Sequence, residues 1–198
     1  MSSNSVKNLG GRKIGGYGVI FSSPNAPDLE GDFFTPKSDL WLDLLPTTAV
    51  LFDHAMTPLP GDQDPNSTSP RKHVVGKVIK RTVDSKGVWF EAVLKENDEW
   101  ADMVMKLVDE GRLNYSSDSI EHLVRRVNQP NGTKFIKSWP IPFISVTHRA
   151  AEPRARVSAV KNTFRIEEIA EIIEDDTFVT SVKNLKVGSK RLMGKNSS

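Results

Sequence analysis

The run "HVVGKVIKRTVD", "SKG", "VWFEAVL", residues 73 to 94 with a short break in the middle, constrains the fold more than any other part of the chain. Both arms are rich in β-branched and aromatic residues, and the polar break between them is short, which is the pattern of a β-hairpin. A lone hairpin is marginal in water, so the remaining sequence has to supply further strands. Several stretches fit. "KIGGYGVIFSS" reads as a first strand whose glycines mark bends or close backbone approach. "TTAVLFDH" is a β-branched strand ending at His54. "VNQPNGTKF" carries Asn131-Gly132, a strong short hairpin signal, and returns the chain through "FIKSWPIPFISVTHRAA". Pro140 and Pro142 make part of that return an edge or a bulge.

Helices are fewer. Thr35-Pro36 supplies a cap and a first residue for a short helix over "KSDLWLDLL". The clearest helix begins at an Asn97 cap, spaces Trp100, Met103, Val104, Leu107 and Val108 along one stripe, and ends at Gly111. A last amphipathic helix, "TFRIEEIAEIIEDD", lines up Ile166, Ile169 and Ile173. "PNAPDLEGDFF" is a turn-rich loop, and residues 55–72 form a long polar one of the kind that often carries function. The expected fold is α+β: mainly antiparallel β, a partly closed β-barrel flanked by helices. Three segments divide it: a flexible leader (1–12), one domain (13–161), and a C-terminal helix with a basic tail (162–198).

The chain's 198 residues suffice for one well-buried domain, and 37% hydrophobic with 26% charged residues is ordinary for a soluble protein. No apolar run approaches the length of a membrane span, and the N-terminus lacks a signal-peptide core. With no Cys, disulfides, thiolate metal sites and a cysteine nucleophile are excluded. A net charge of +2 is too small to argue for nucleic acid, and the tail "VKNLKVGSKRLMGKNSS" reads as a solvated end. The histidines are His54, His73, His122 and His148, and no two sit at helical metal-ligand spacing. "GGYG" lacks the Lys-Ser/Thr of a phosphate loop. No cofactor is expected.

What remains is serine plus histidine. "GRLNYSSDSIEHLVRR", residues 111–126, places Ser116, Ser117 and Ser119 in a strand, where small hydroxyls fit a solvent-facing side. A serine nucleophile needs a neutral imidazole within hydrogen-bond reach, and a third group to hold that ring. His54, where a strand meets the long loop, reads on spacing alone first as a surface histidine and second as such a base. There is no Gly-x-Ser-x-Gly elbow. The residues by themselves reach a β-rich domain with a candidate serine–histidine pair and go no further.

Five segments in order, "DLEGDFFT", "VLFDHAMTPLP", "VVGKVIKRTVDSKGVWFEAVL", "EWADMVMKLVDEGRLNYSSDSIEHLVRR" and "WPIPFISVTHRAAEPRA", resemble the prohead (capsid-maturation) serine proteases of tailed bacteriophages, relatives in fold of the herpesvirus assemblins. The resemblance spans roughly residues 14–160. It implies a serine endopeptidase enclosed in the assembling procapsid in the host cytoplasm. Its implied substrates are scaffold, the delta segment of the major capsid protein, and often the protease itself. A homo-oligomer is compatible with it; a specific nucleic acid or a membrane is not called for.

The family histidine falls on His54 and the family serine on the pair Ser116-Ser117. Strand alternation sends those two to opposite faces, so only one can meet His54. Ser116 is preferred because Asp118 then takes the position of the motif's glycine, with Ser117 in reserve. Two departures stand out. Asp118 in place of glycine is expected to crowd and oppose an oxyanion. Phe143 stands where the family usually has an acid, and it cannot orient an imidazole. His148 is the substitute third member, because assemblins use a Ser-His-His set, although alternation from 143 to 148 then requires a bulge. Asp53 adjoins His54 but is expected to point away. Arg125 and Arg126 are candidates for the oxyanion neighbourhood. Two rivals remain open: a catalytically inactive relative acting as a structural or scaffold subunit, and an unrelated binding domain with a serine-rich edge.

Overall fold

The computed structural model describes residues 5–45, 49–56, 73–148 and 163–172. The strands begin with β1 (Lys7–Gly10), β2 (Lys13–Ile20), β3 (Asp32–Phe33) and β4 (Ala49–Phe52). They continue with β5 (Val74–Val83), β6 (Gly87–Leu94), β7 (Asn114–Ser117) and β8 (Ser119–Ile120). The last are β9 (Arg125–Asn128), β10 (Lys134–Ser138), β11 (Phe143–Thr147) and β12 (Thr163–Phe164). The helices are α1 (Glu99–Asp109) and α2 (Ile166–Ile172). The main sheet has seven strands in the order β1-β2-β6-β5-β4-β11-β7, antiparallel except for the β4–β11 pair. It curls until its ends meet: Ser5 bridges Asn114, and Val6 N donates to the Leu113 carbonyl at 2.9 Å. The expected mainly antiparallel, curled β fold with few helices is therefore what forms. A second sheet, β3-β10-β9, and the short β12–β8 pair complete it.

The strongest sequence signals fold as read. β5 and β6 pair antiparallel, and the Asp84 carboxylate closes their turn by accepting from Lys86 N and Gly87 N. Asn131-Gly132 turns β9 into β10, with Gly132 at φ 83°, a left-handed value that glycine adopts freely. Weaker signals do not survive. Residues 5–10, read as part of a leader, join the main sheet, because the Asn8 side chain accepts from Gly10 N and folds the chain back onto β2. The short helix over 37–45 is absent. Its backbone groups are taken by the second sheet: Asp39 N donates to the Lys137 carbonyl and Trp139 N to that of Asp39. The α1 cap is Asp98, whose carboxylate accepts from Ala101 N at 2.9 Å, while Asn97 precedes it at φ 51°. Ile173, most of the 55–72 loop and the basic tail lie outside the described residues.

Two apolar clusters cover the two faces of β4 and β11, and the inner one also takes in Tyr115 of β7. Inside the curl, Val50, Phe52, Tyr115, Ile144 and Val146 pack with Phe90, Trp139 and the α1 residues Val104 and Val108. On the outer face, Ala49, Leu51 and Phe143 pack with Trp41, Leu45, Ile120, Leu123, Phe164, Ile166 and Ile169. α2 thus seals the outer face. Phe164 stacks edge-on against Phe143 at 5.7 Å. Strands covered on both faces have no wet side. All residues of β7 and β11 are buried, so the serines of β7 do not mark the solvent-facing strand expected of them.

Candidate active site

The pairing registers locate each side chain. Val146 lies beside Phe52 and Ile144 opposite Ser117, so Asp53 comes level with Thr147 and Asp118 with Phe143. Those levels are ~13 Å apart along the strands. His54 nevertheless reaches Asp118: its Nδ1 lies 2.6 Å from Asp118 Oδ1. The bridging device is a left-handed turn after β4, in which Asp53, His54 and Ala55 take φ values of 45°, 58° and 56°. It turns the chain back over the outer face. Each such residue without glycine's freedom costs about 1–2 kcal/mol, which the surrounding burial and hydrogen bonds must offset.

Asp118 makes two side-chain contacts. Oδ1 faces His54 Nδ1, and Oδ2 accepts from Ser145 Oγ at 2.6 Å. Its backbone N–H donates to the Phe143 carbonyl at 3.2 Å. The acid and the imidazole are both essentially inaccessible to water, at 0% and 2% exposure. A carboxylate that only accepts fixes the hydrogen on Nδ1, which leaves the Nε2 lone pair of the neutral ring as the basic site. Such buried, short N–H···O contacts are among the stronger hydrogen bonds in proteins. Asp53 does point away from the ring, as expected: its Oδ1 accepts from Thr147 Oγ1 at 2.6 Å.

The serine pair divides as alternation requires. Ser116 sits directly opposite Ser145 and two residues from Asp118, on the outer face with His54. Ser117 lies on the inner face, where its Oγ accepts from Trp139 Nε1 at 3.1 Å. No hydrogen bond joins Ser116 Oγ to His54 among the described residues. His148 is bonded elsewhere than at the His54 ring. Its ring nitrogen Nδ1 donates to the Arg112 carbonyl at 3.2 Å, and alternation from Thr147 turns it from the outer face. Phe143 cannot orient the ring either, being packed against Phe164, but the acid it lacks arrives from the neighbouring strand as Asp118. The Asp118 carboxylate is directed at the imidazole. Arg126 pairs with Asp32 at 2.9 Å and lies over the Trp139 ring, and Arg125 is exposed on β9.

The sequence reading did not place Asp118, Ser145 and Thr147 in contact with the segment that carries His54, although part of the pattern was available. In "FISVT" hydroxyls alternate with Ile144 and Val146, and Asp118 follows Ser116 at i+2. Among the described residues, no three His, Asp or Glu side chains converge as a metal site, and no helix is long and apolar enough to cross a membrane.

No protein-family model and no curated relative matches the sequence. Among solved structures, the chain is similar to the bacteriophage T4 capsid assembly protease, gp21, at a TM-score of 0.44 and 11% identity, over 73% of this chain and 88% of that one.

Proposed function

We propose that this chain is a serine endopeptidase of the prohead-protease kind, with an assemblin-like fold, in which Ser116 is the nucleophile, His54 the general base and Asp118 the residue that holds the base. The observation that carries this reading is the 2.6 Å contact between His54 Nδ1 and Asp118 Oδ1, on the face that also bears Ser116. In the proposed step, His54 Nε2 takes the Ser116 hydroxyl proton as Oγ bonds to the peptide carbonyl carbon. The imidazolium then returns that proton to the leaving amine as the C–N bond breaks, and water, activated by the same base, releases the acyl group. The family resemblance supplies the substrates, scaffold and major capsid protein, and the setting, the assembling procapsid in the host cytoplasm. The substrate binds extended along a sheet edge.

A second reading, a structural subunit that has kept the fold without the chemistry, is favoured by one observation. Ser116 is only 6% exposed and makes no hydrogen bond to the ring. Nucleophile–base contacts in uncomplexed hydrolases often tighten only with substrate, so the geometry is compatible with both. Incubation with a fluorophosphonate probe and with cognate scaffold separates them. The wild-type chain takes up the probe and cuts the scaffold, while Ser116→Ala and His54→Ala do neither, and the double variant loses little more than either single one. An unlabelled wild-type chain that leaves scaffold intact establishes the structural reading.

A further inference from the structure

β11 presents two hydroxyls on one face, Ser145 and Thr147, and each bonds a carboxylate next to His54. Ser145 Oγ donates to Asp118 Oδ2, the far oxygen of the acid that contacts the ring, and Thr147 Oγ1 donates to Asp53 Oδ1, in the left-handed turn that carries the ring. Both bonds are 2.6 Å long. Ser145 and Thr147 are fully buried.

We propose that Ser145 and Thr147 are positioning residues, a two-point clamp through which β11 fixes the orientation of the His54 ring. Two requirements demand it. A carboxylate bonded at one oxygen can swing about its side-chain torsions, and a ring that follows it loses the line between Nε2 and the nucleophile. The second bond, to Ser145, removes that freedom. The turn at 53–55 is intrinsically unfavourable, with three consecutive residues at positive φ. An acceptor on its first residue, tied to the adjacent strand, holds the turn in place. The alternate side chains of β11, Ile144 and Val146, belong to the inner cluster, so one strand serves packing on one side and alignment on the other. The proposal rests on the acyl-transfer reading of His54, and its test separates the two.

The test uses the full chain and a fluorophosphonate, with the maximal inactivation rate and the probe's half-saturation measured separately. Ser145→Ala should slow the maximal rate about 10- to 100-fold, the range known for hydrogen-bond partners of metal-ligating histidines, with half-saturation unchanged. Thr147→Val, of the same shape, should slow it about tenfold. Ser145→Thr keeps the hydroxyl and should restore most of the rate. In an Asp118→Asn background, Ser145→Ala should add less than about threefold, because Ser145 acts through that acid. Ser38→Ala, which removes a comparable hydroxyl–carbonyl bond in another part of the fold, should leave the rate unchanged. An activity-free readout accompanies these: the downfield proton resonance of His54 Nδ1–H in nitrogen-15-histidine-labelled protein, expected to exchange faster with water in both clamp variants. Wild-type rates together with an unchanged resonance in Ser145→Ala and Thr147→Val overturn the clamp and leave the protease reading standing. A wild-type chain that takes up no probe, but whose resonance weakens in the variants, supports the clamp and overturns the protease reading.

Discussion

The inner and outer faces of β4, β11 and β7 are built from alternate residues of the same strands, yet they differ in kind. Inward, Val50, Phe52, Ile144, Val146 and Tyr115 form a dry apolar packing, and the hydroxyl of Ser117 is bonded to Trp139. Outward, Ser116, Ser145 and Thr147 run as a polar stripe alongside Leu51 and Phe143, and the stripe ends in the His54–Asp118 contact. Both faces are buried. The difference lies in the partners of the polar groups: the Ser117 hydroxyl satisfies a core indole, while those of Ser145 and Thr147 bond the carboxylates of Asp118 and Asp53. Two neighbouring serines with identical side chains therefore carry opposite expectations.

The sharpest way to break this comparison is to exchange the roles of the serines. Ser116→Ala should lower peptidase activity by about 10⁶-fold, as removal of a nucleophile does in template triads, with thermal stability nearly unchanged. Ser117→Ala should keep the activity and lower the melting temperature, since Trp139 Nε1 loses its acceptor. A chain that survives the first and is inactivated by the second would reverse the assignment of the faces. Asp118→Asn comes next: it should cost about 10⁴-fold in the acyl-transfer rate while circular dichroism stays native, because the ring then loses the acceptor that sets its tautomer. Unaltered kinetics would show that Asp118 merely packs.

Two smaller effects test the faces as packing surfaces. Phe143→Ala should destabilise the fold by about 3–5 kcal/mol in denaturant titration, as for any fully buried aromatic. A loss below about 1 kcal/mol would mean that the outer face is not the closed second core described above. Tyr115→Phe should do the reverse. The Tyr115 hydroxyl is buried in the inner cluster and makes no hydrogen bond among the described residues. Its removal should raise stability by about 1 kcal/mol, and a decrease would reveal a partner for that hydroxyl.

Much of this was legible in the sequence where a signal is local. The β5–β6 hairpin, the Asn131-Gly132 turn and the α1 stripe depend on residues a few positions apart, so side-chain period and turn chemistry suffice. The helix expected over 37–45 failed because β10 claims its backbone groups, a competition no local pattern records. Residues 5–10, read as part of a leader, show no strand pattern of their own, and they pair because β2 lies beside them.

The sequence by itself determined the alternation that separates Ser116 from Ser117, and the absence of cysteine that excludes a thiol nucleophile. Only the tertiary structure decided which acid meets the ring. Asp118 and His54 are 64 positions apart, on segments whose levels differ by several residues, and they meet because a left-handed turn reverses the chain after β4. Periodicity tells which side a residue faces; it carries no information about where a distant strand will lay its neighbour, because that is set by pairing register and by burial of both faces at once.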